Sequence, residues 1–200
     1  RAIPECVCYR AFCRRIWRIF SMACLPSCAV SISMPGPGLR GTVSMPSSMR
    51  KVCRVMRCPS CQCEIADAHR FHSRALARLL ATAAEAYVVV LTLGEGIEER
   101  VRSMLQEQLL VEGLLMDTAA WAAIELLIRD VRRVLVDRER PGGRSVTHRL
   151  GPGHRDWPVT EQAALLRVFG EVALPVRVNE SACMLPCKSV SGVYGIVPAA

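Results

Sequence analysis

The run Tyr87-Val88-Val89-Val90-Leu91-Thr92-Leu93, stopped by Gly94 and Gly96, constrains the fold of this 200-residue chain more than any other stretch. Its β-branched and aliphatic side chains favour an extended backbone, and successive side chains of a strand leave by opposite faces. Because the run is apolar at nearly every position, it suits a strand covered on both faces. The rest of the chain must supply those covers.

Helices are the natural candidates. Ser73 is placed to cap a helix over 74–84, with Leu76, Leu79 and Leu80 on one face. A second helix is expected over 97–110, acidic at its start (Glu98, Glu99), as the helix dipole favours. Gly113 then marks a break, and the longest helix follows over 114–137. Its apolar positions Ile124, Leu127, Ile128, Val131, Val134 and Leu135 keep a 3.6-residue period, while Arg129, Asp130, Arg132 and Arg133 face away. Ala119, Ala120, Ala122 and Ala123 leave its first half thin enough for another element to come close. Beyond it, Pro141-Gly142-Gly143 reads as a turn and 145–150 as a strand. A helix over 161–169 would be capped by Thr160 and stopped by Gly170, and 176–179 and 190–197 read as closing strands. No repeat period is present. The expected architecture is α+β, with helices packed on a small, mostly antiparallel twisted sheet in a single domain.

The formal charge of +8 is not spread along the chain. Residues 1–63 hold 10 of the 26 Lys and Arg but only one acid, Glu5, so the remainder is close to neutral. No helix there clusters arginines with aromatic readers, which argues against a nucleic-acid-binding protein. Nine of the 11 cysteines also fall in the first 63 residues, leaving Cys183 and Cys187. An odd total with irregular spacing does not suit a secreted disulfide scaffold and points to a reducing, cytoplasmic setting. Residues 16–34 contain Arg18 and Pro26, which a membrane span would exclude, although a signal peptide is an alternative. The expected division is a basic, Cys-rich extension over 1–63, disordered or preceding a true start at Met45, Met49 or Met56, and a folded domain over 64–200. A Pro/Gly/Ser-rich linker over 35–48 supports it. Cys58-Pro59-Ser60-Cys61 has metal-ligand spacing, but without a second well-spaced pair the expectation is no bound metal. Cys183 and Cys187 are expected to be buried thiols.

The chemistry-bearing residues sit late in the chain. Arg149 can make two parallel charge-assisted bonds to a carboxylate, a geometry that Lys cannot reproduce. Gly151 and Gly153 lack Cβ, so the Gly151-Pro152-Gly153 backbone can approach a ligand closely. Glu180 could pair with an amino group or a sulfonium. Together a cation, exposed backbone N–H groups and a carboxylate suit a zwitterionic amino-acid ligand. Read singly, the same residues make a surface turn with a solvated arginine and an exposed strand carboxylate. Tyr87, Trp121 and Trp157 read as core or rim residues, with Trp157 the one placed for ligand contact.

In order along the chain stand Thr92-Leu93-Gly94-Glu95-Gly96-Ile97-Glu98-Glu99, Arg149-Leu150-Gly151-Pro152-Gly153 with the later Pro158, Asn179-Glu180-Ser181, Met184-Leu185-Pro186 and Ser189-Val190-Ser191-Gly192. This series resembles the S-adenosylmethionine-binding activation domain of cobalamin-dependent methionine synthase, in its short stand-alone form, over about residues 72–197. The resemblance implies a module that binds S-adenosylmethionine and docks over the corrin of a partner methionine synthase or related corrinoid methyltransferase. There it would support reductive remethylation with a one-electron donor such as flavodoxin or ferredoxin. No D-x-H-x-x-G motif is present, so the cobalamin would be carried by the partner. By the same resemblance Arg149 would hold the methionine carboxylate. Gly151, Pro152, Gly153, His154 and Ser189 would line the ligand, and Glu180 would complete its polar end. His154 stands where the family has a tyrosine that faces the corrin. That departure favours the competing reading, a small-molecule-binding module without reactivation activity. No catalytic residue is assigned.

Overall fold

The computed structural model describes residues 31–33, 42–44, 50–58, 62–65 and 69–199. The strands are β1 (Ser31–Ser33), β2 (Thr42–Ser44), β3 (Arg50–Cys58), β4 (Gln62–Ile65), β5 (His69–His72), β6 (Glu85–Thr92), β7 (Arg144–Val146), β8 (Arg177–Val178), β9 (Met184–Leu185) and β10 (Ser189–Pro198). The helices are α1 (Arg74–Leu79), α2 (Gly96–Gln106), α3 (Leu110–Glu139) and α4 (Gln162–Arg167). Six strands form one sheet in the order β5-β4-β3-β6-β10-β7, and every pairing in it is antiparallel. The β1–β2 and β8–β9 pairs stand apart as two-stranded ribbons. Helices packed on an antiparallel sheet make this an α+β fold.

The apolar run occupies β6, between β3 and β10, and its two faces belong to different cores. Ala86, Val88 and Val90 point to one side, where α1, α4, Phe71 and Trp157 cover them. Tyr87, Val89 and Leu91 point to the other, against Ala120, Ile124, Leu127, Val131 and Leu135 of α3. The pleat of one strand thus divides the molecule into two layers.

The sheet also draws on residues before 64, where the folded domain is expected to start. β3 pairs with β6 from Arg50↔Val89 to Arg54↔Glu85, and Cys53 is buried in the core beside Ile65. Among the described residues, the six-stranded sheet therefore includes Arg50–Cys58. A low-acid, Cys-rich composition concealed a strand whose hydrogen bonds come from its backbone. The expectations for residues 1–30, 34–41 and 45–49 fall outside the described residues, as does the Pro59–Cys61 centre of the C-x-x-C spacing.

Helix limits differ for local reasons. α1 ends at Leu79 rather than 84, because Glu85 and Ala86 are taken into β6. The break before the long helix is not at Gly113. Gln108 takes a left-handed backbone (φ 62°), and α3 starts at Leu110. Gly113 lies inside α3, where a Cβ would stand 3.0 Å from Leu105 Cδ2, so it lets α2 pack closely. Thr160 does not cap α4, since it sits within a 3-10 turn over Val159–Glu161.

Candidate functional site

Past β7 the chain keeps to the edge of β10 through a reciprocal pair of backbone hydrogen bonds between Leu150 and Val193, of 3.1 and 2.7 Å. This bridge brings Arg149-Leu150-Gly151 alongside Ser191-Gly192-Val193, two motifs some forty residues apart in sequence. Leu150 turns into the core with Val193. Alternation along the strand sends Arg149 to the opposite side, that of α3 and Tyr194.

Two glycines make room for Arg149. At Gly192 a Cβ would lie 2.7 Å from Arg149 Cγ and 2.8 Å from the Leu150 carbonyl oxygen. At Gly151 it would lie 2.6 Å from the Ser191 carbonyl oxygen and 3.1 Å from Arg149 Nη1. Only hydrogen fits at either position. Gly153, by contrast, is needed for its backbone, at φ 88°. The expected freedom of Gly151 and Gly153 thus has two separate physical origins, close approach at one and left-handed φ at the other.

Arg149 is half-buried. Its Nη1 donates to the Ser191 carbonyl, while its Nε is buried and has no hydrogen-bond partner among the described residues. Burial lowers the guanidinium pKa from its ordinary value, and Tyr194 and Glu125 act in the opposite direction. Tyr194 donates its hydroxyl to the Ile128 carbonyl at 3.3 Å, and burial pushes its pKa up to about 12 against the opposing effect of Arg149 and Arg132.

The Gly-Pro-Gly loop is held from both ends. His154 N–H donates to Gly151 C=O, and Gly153 N–H donates to Trp157 C=O. The exposed His154 ring rests its Nδ1 3.1 Å from the same Gly151 carbonyl. Asp156 then ties the loop to α1. Its carboxylate accepts from Ser73 Oγ at 2.7 Å and from the Arg74 and Ala75 N–H groups at 2.8 and 3.1 Å. Ser73 itself accepts from the Leu76 N–H, as its expected capping role requires. Those bonds hold the Asp156 carboxyl below its ordinary pKa, the Ser73 hydroxyl contributing most. Trp157 is core rather than ligand surface. It is 1% exposed, meets Phe71 edge to face at 5.4 Å, and donates Nε1 to Glu161 at 2.7 Å.

The other expected ligand residues are placed elsewhere. Ser189 is buried and donates to Thr92 Oγ1 at 2.7 Å. It shares a face of β10 with Ser191, which accepts from Gln162 Nε2 at 2.7 Å. Glu180 is exposed in a turn closed by Asn179, whose side-chain oxygen accepts from the Ser181 and Cys183 N–H groups. Among the described residues no hydrogen bond or ion pair joins Glu180 to Arg149. Cys183 and Cys187 are exposed, not buried, because the β8–β9 ribbon lies outside both cores.

Several groups in this region carried no signal in the sequence. An open cleft of about 690 Å³ beside the loop is walled by Arg74, Arg78, His148, Arg155 and Asp156 over a floor that includes Leu79 and Leu150. Arg149 is not on its wall. Glu98, read from sequence only as a dipole complement, accepts the Cys187 and Lys188 N–H groups. The buried Lys188 pairs with Asp117 at 2.7 Å and lies 4.6 Å from the Trp121 ring centre. These contacts fasten the segment before β10 to α2 and α3. Among the described residues no three His, Cys, Asp or Glu side chains converge as a metal site, and no helix is long and apolar enough to cross a membrane. The arrangement offers cation recognition of an anion at Arg149 and close backbone approach at the loop. No model of a known protein family matches the chain, and no curated protein matches it.

Proposed function

We propose that this chain is an S-adenosylmethionine-binding module that serves a cobalamin-dependent methionine synthase or related corrinoid methyltransferase in the reactivation of its cofactor. The observation that carries this reading is the meeting of Arg149-Leu150-Gly151 with Ser189-Val190-Ser191-Gly192 across the Leu150–Val193 bridge, with Arg149 Nε buried and unpartnered among the described residues. Both motifs belong to the series that resembles the activation domain. Their junction leaves a guanidinium with donors to spare beside glycine backbone, which fits the carboxylate end of an amino-acid ligand.

Arg149 would hold that carboxylate and fix its orientation, since two parallel N–H donors define a plane. Gly151, Pro152 and Gly153 would line the ligand with backbone, on a loop anchored to α1 by Asp156. S-adenosylmethionine, when bound, supplies an electrophilic methyl group for the reduced corrinoid carried by the partner, with an electron from a flavodoxin- or ferredoxin-like donor. The chain itself would contribute binding, orientation and exclusion of water. Such a role belongs in the cytoplasm and needs neither membrane nor nucleic acid.

A second reading, ligand binding without reactivation, is favoured by one observation. The exposed residue after the loop is His154, engaged with the Gly151 carbonyl, where the family presents a tyrosine to the corrin.

Titration calorimetry with S-adenosylmethionine tests the binding claim. Wild type should bind, and Arg149→Ala should lose about 2 kcal/mol or more of affinity, the lower part of the range for a buried charge pair because Arg149 is only half-buried. Arg149→Lys should also weaken binding. Equal affinity in wild type and Arg149→Ala overturns the site. Binding without methyl transfer to a reduced corrinoid protein selects the second reading.

A further inference from the structure

We propose that the cleft between α1 and the segment 147–156 binds a phosphomonoester with a small apolar body, at a site separate from Arg149. The cleft encloses about 690 Å³, the size of a small-molecule site, and has room for more than a bare phosphate. Arg74 and Arg78, four residues apart on α1, share one helical face. Arg155 and His148 join the lining from the segment that carries the Gly-Pro-Gly loop. Among the described residues none of these four side chains has a hydrogen bond or an ion pair. Other exposed arginines are matched, Arg100 with Glu107, Arg133 with Asp130, Arg140 with Asp137 and Arg144 with Glu139. The cleft thus collects guanidiniums that the fold leaves unused.

The single carboxylate on the wall does not take them up. Asp156 Oδ1 accepts from Ser73 Oγ and the Ala75 N–H, and Oδ2 accepts from the Arg74 N–H. Those bonds fix the loop segment against α1, so the cleft is set before a ligand arrives. Arg155 is held there with a left-handed backbone, φ 57°, a conformation uncommon outside glycine and retained where surrounding contacts impose it.

Charge and lining identify the ligand class. Three guanidiniums and one carboxylate leave two positive charges, and a phosphomonoester carries about −1.5 to −2 near neutral pH. Its three oxygens can accept from several guanidinium forks, whereas a monocarboxylate is satisfied by one. Ala75, Leu79 and Leu150 supply an apolar floor for the rest of the molecule. Thr147 spends its hydroxyl on the His148 carbonyl and the Gly195 N–H, so a body rich in hydroxyls gains little there. A nucleic-acid strand fits less well. The described lining includes no Phe, Tyr or Trp on which bases would stack, and charges nearly balance over residues 64–200.

Titration calorimetry on the full chain with phenyl phosphate tests the proposal. Phenyl phosphate should bind about tenfold more tightly than inorganic phosphate, through the apolar floor, and more tightly than benzoate. Arg78→Gln and Arg155→Asn, the latter keeping a residue that tolerates left-handed backbone, should each weaken binding by about fivefold or more. Both side chains are exposed, so the thermal melts should match wild type. Arg149→Ala should leave phenyl phosphate binding unchanged, because Arg149 is not on the cleft wall. In wild type, the amide chemical shifts that move on adding phenyl phosphate should centre on residues 74–79 and 147–156. No binding at millimolar phenyl phosphate overturns the proposal, as do shifts centred elsewhere. So do affinity indifferent to both cleft variants, affinity lost with Arg149→Ala, and tighter binding of a short oligouridine, whose internal phosphates are monoanionic diesters.

Discussion

The two covers of the central strand are built on different principles. On one side, a single 30-residue helix supplies nearly the whole layer, and its buried residues recur at helical spacing from Gly113 to Leu135. On the other side, short helices, a 3-10 turn and the 151–158 loop assemble a layer from pieces. Those pieces are joined by polar contacts between residues far apart in sequence: Asp156 with Ser73, Arg74 and Ala75, and Glu161 with His72. Local periodicity is enough to specify the first layer. The second depends on hydrogen bonds that exist only once the sheet has brought its edges together. The Gly-Pro-Gly loop belongs to the second layer, while Arg149 beside it turns toward the first, so the proposed site lies on the seam between them.

The strand common to both layers should give the largest effect. Starting the chain at Met56 removes Arg50–Val55, the part of β3 that pairs with β6, together with Cys53 from the core. The edge of β6 would be left without its neighbour, and we expect loss of the cooperative thermal transition. A melt like that of the full chain would show that β6 and β10 suffice.

A matched pair of cavities compares the layers themselves. Trp157→Ala should cost about 3–5 kcal/mol and Leu127→Ala about 2–5 kcal/mol in chemical denaturation. The two variants should part company at the loop. Removing Trp157 also frees Glu161, so His72 and the loop should lose hydrogen-exchange protection. Removal of Leu127 should leave the loop protected. Equal loop exposure in both variants would abolish the distinction between the layers.

The smallest effect concerns acid. Because Asp156 has its carboxyl pKa lowered in the fold, its contribution is present above the ordinary carboxylate pKa and is lost as pH falls through the depressed value. Asp156→Asn should therefore lower stability slightly at neutral pH, Asp156 being exposed, and change little in acid, so that the acid limb of the stability curve flattens. An unchanged acid limb would mean that Ser73 alone caps α1.

How much was legible follows the same division. The strand at β6, the Ser73 cap and the periodic face of α3 could be read directly, because each depends on residues within a few positions of one another. β3 could not, since a strand interspersed with Arg50, Lys51, Arg54 and Arg57 has no strong apolar pattern and owes its place to β6. At the candidate site, the residue types at Arg149 and Gly153 signalled a cation and a turn. The reason for Gly192, which is the passage of the Arg149 side chain, appears only when β10 lies beside Leu150. Exposure misled at Cys183 and Cys187, because apolar neighbours such as Met184 and Leu185 belong to a ribbon outside the cores.

The paired glycines beneath Arg149 have a consequence for how this chain can vary. Positions 151 and 192 are coupled through a third residue that neither contacts by a side chain of its own. Any larger residue at either one displaces the guanidinium or the Leu150–Val193 bridge. Shortening Arg149 would relieve the crowding at Gly192 from its Cγ and Cδ but not that from the Leu150 carbonyl, which is backbone. Sequence drift can therefore release the arginine without ever releasing the glycines, so chains that have lost Arg149 would still keep both small residues, held by backbone alone.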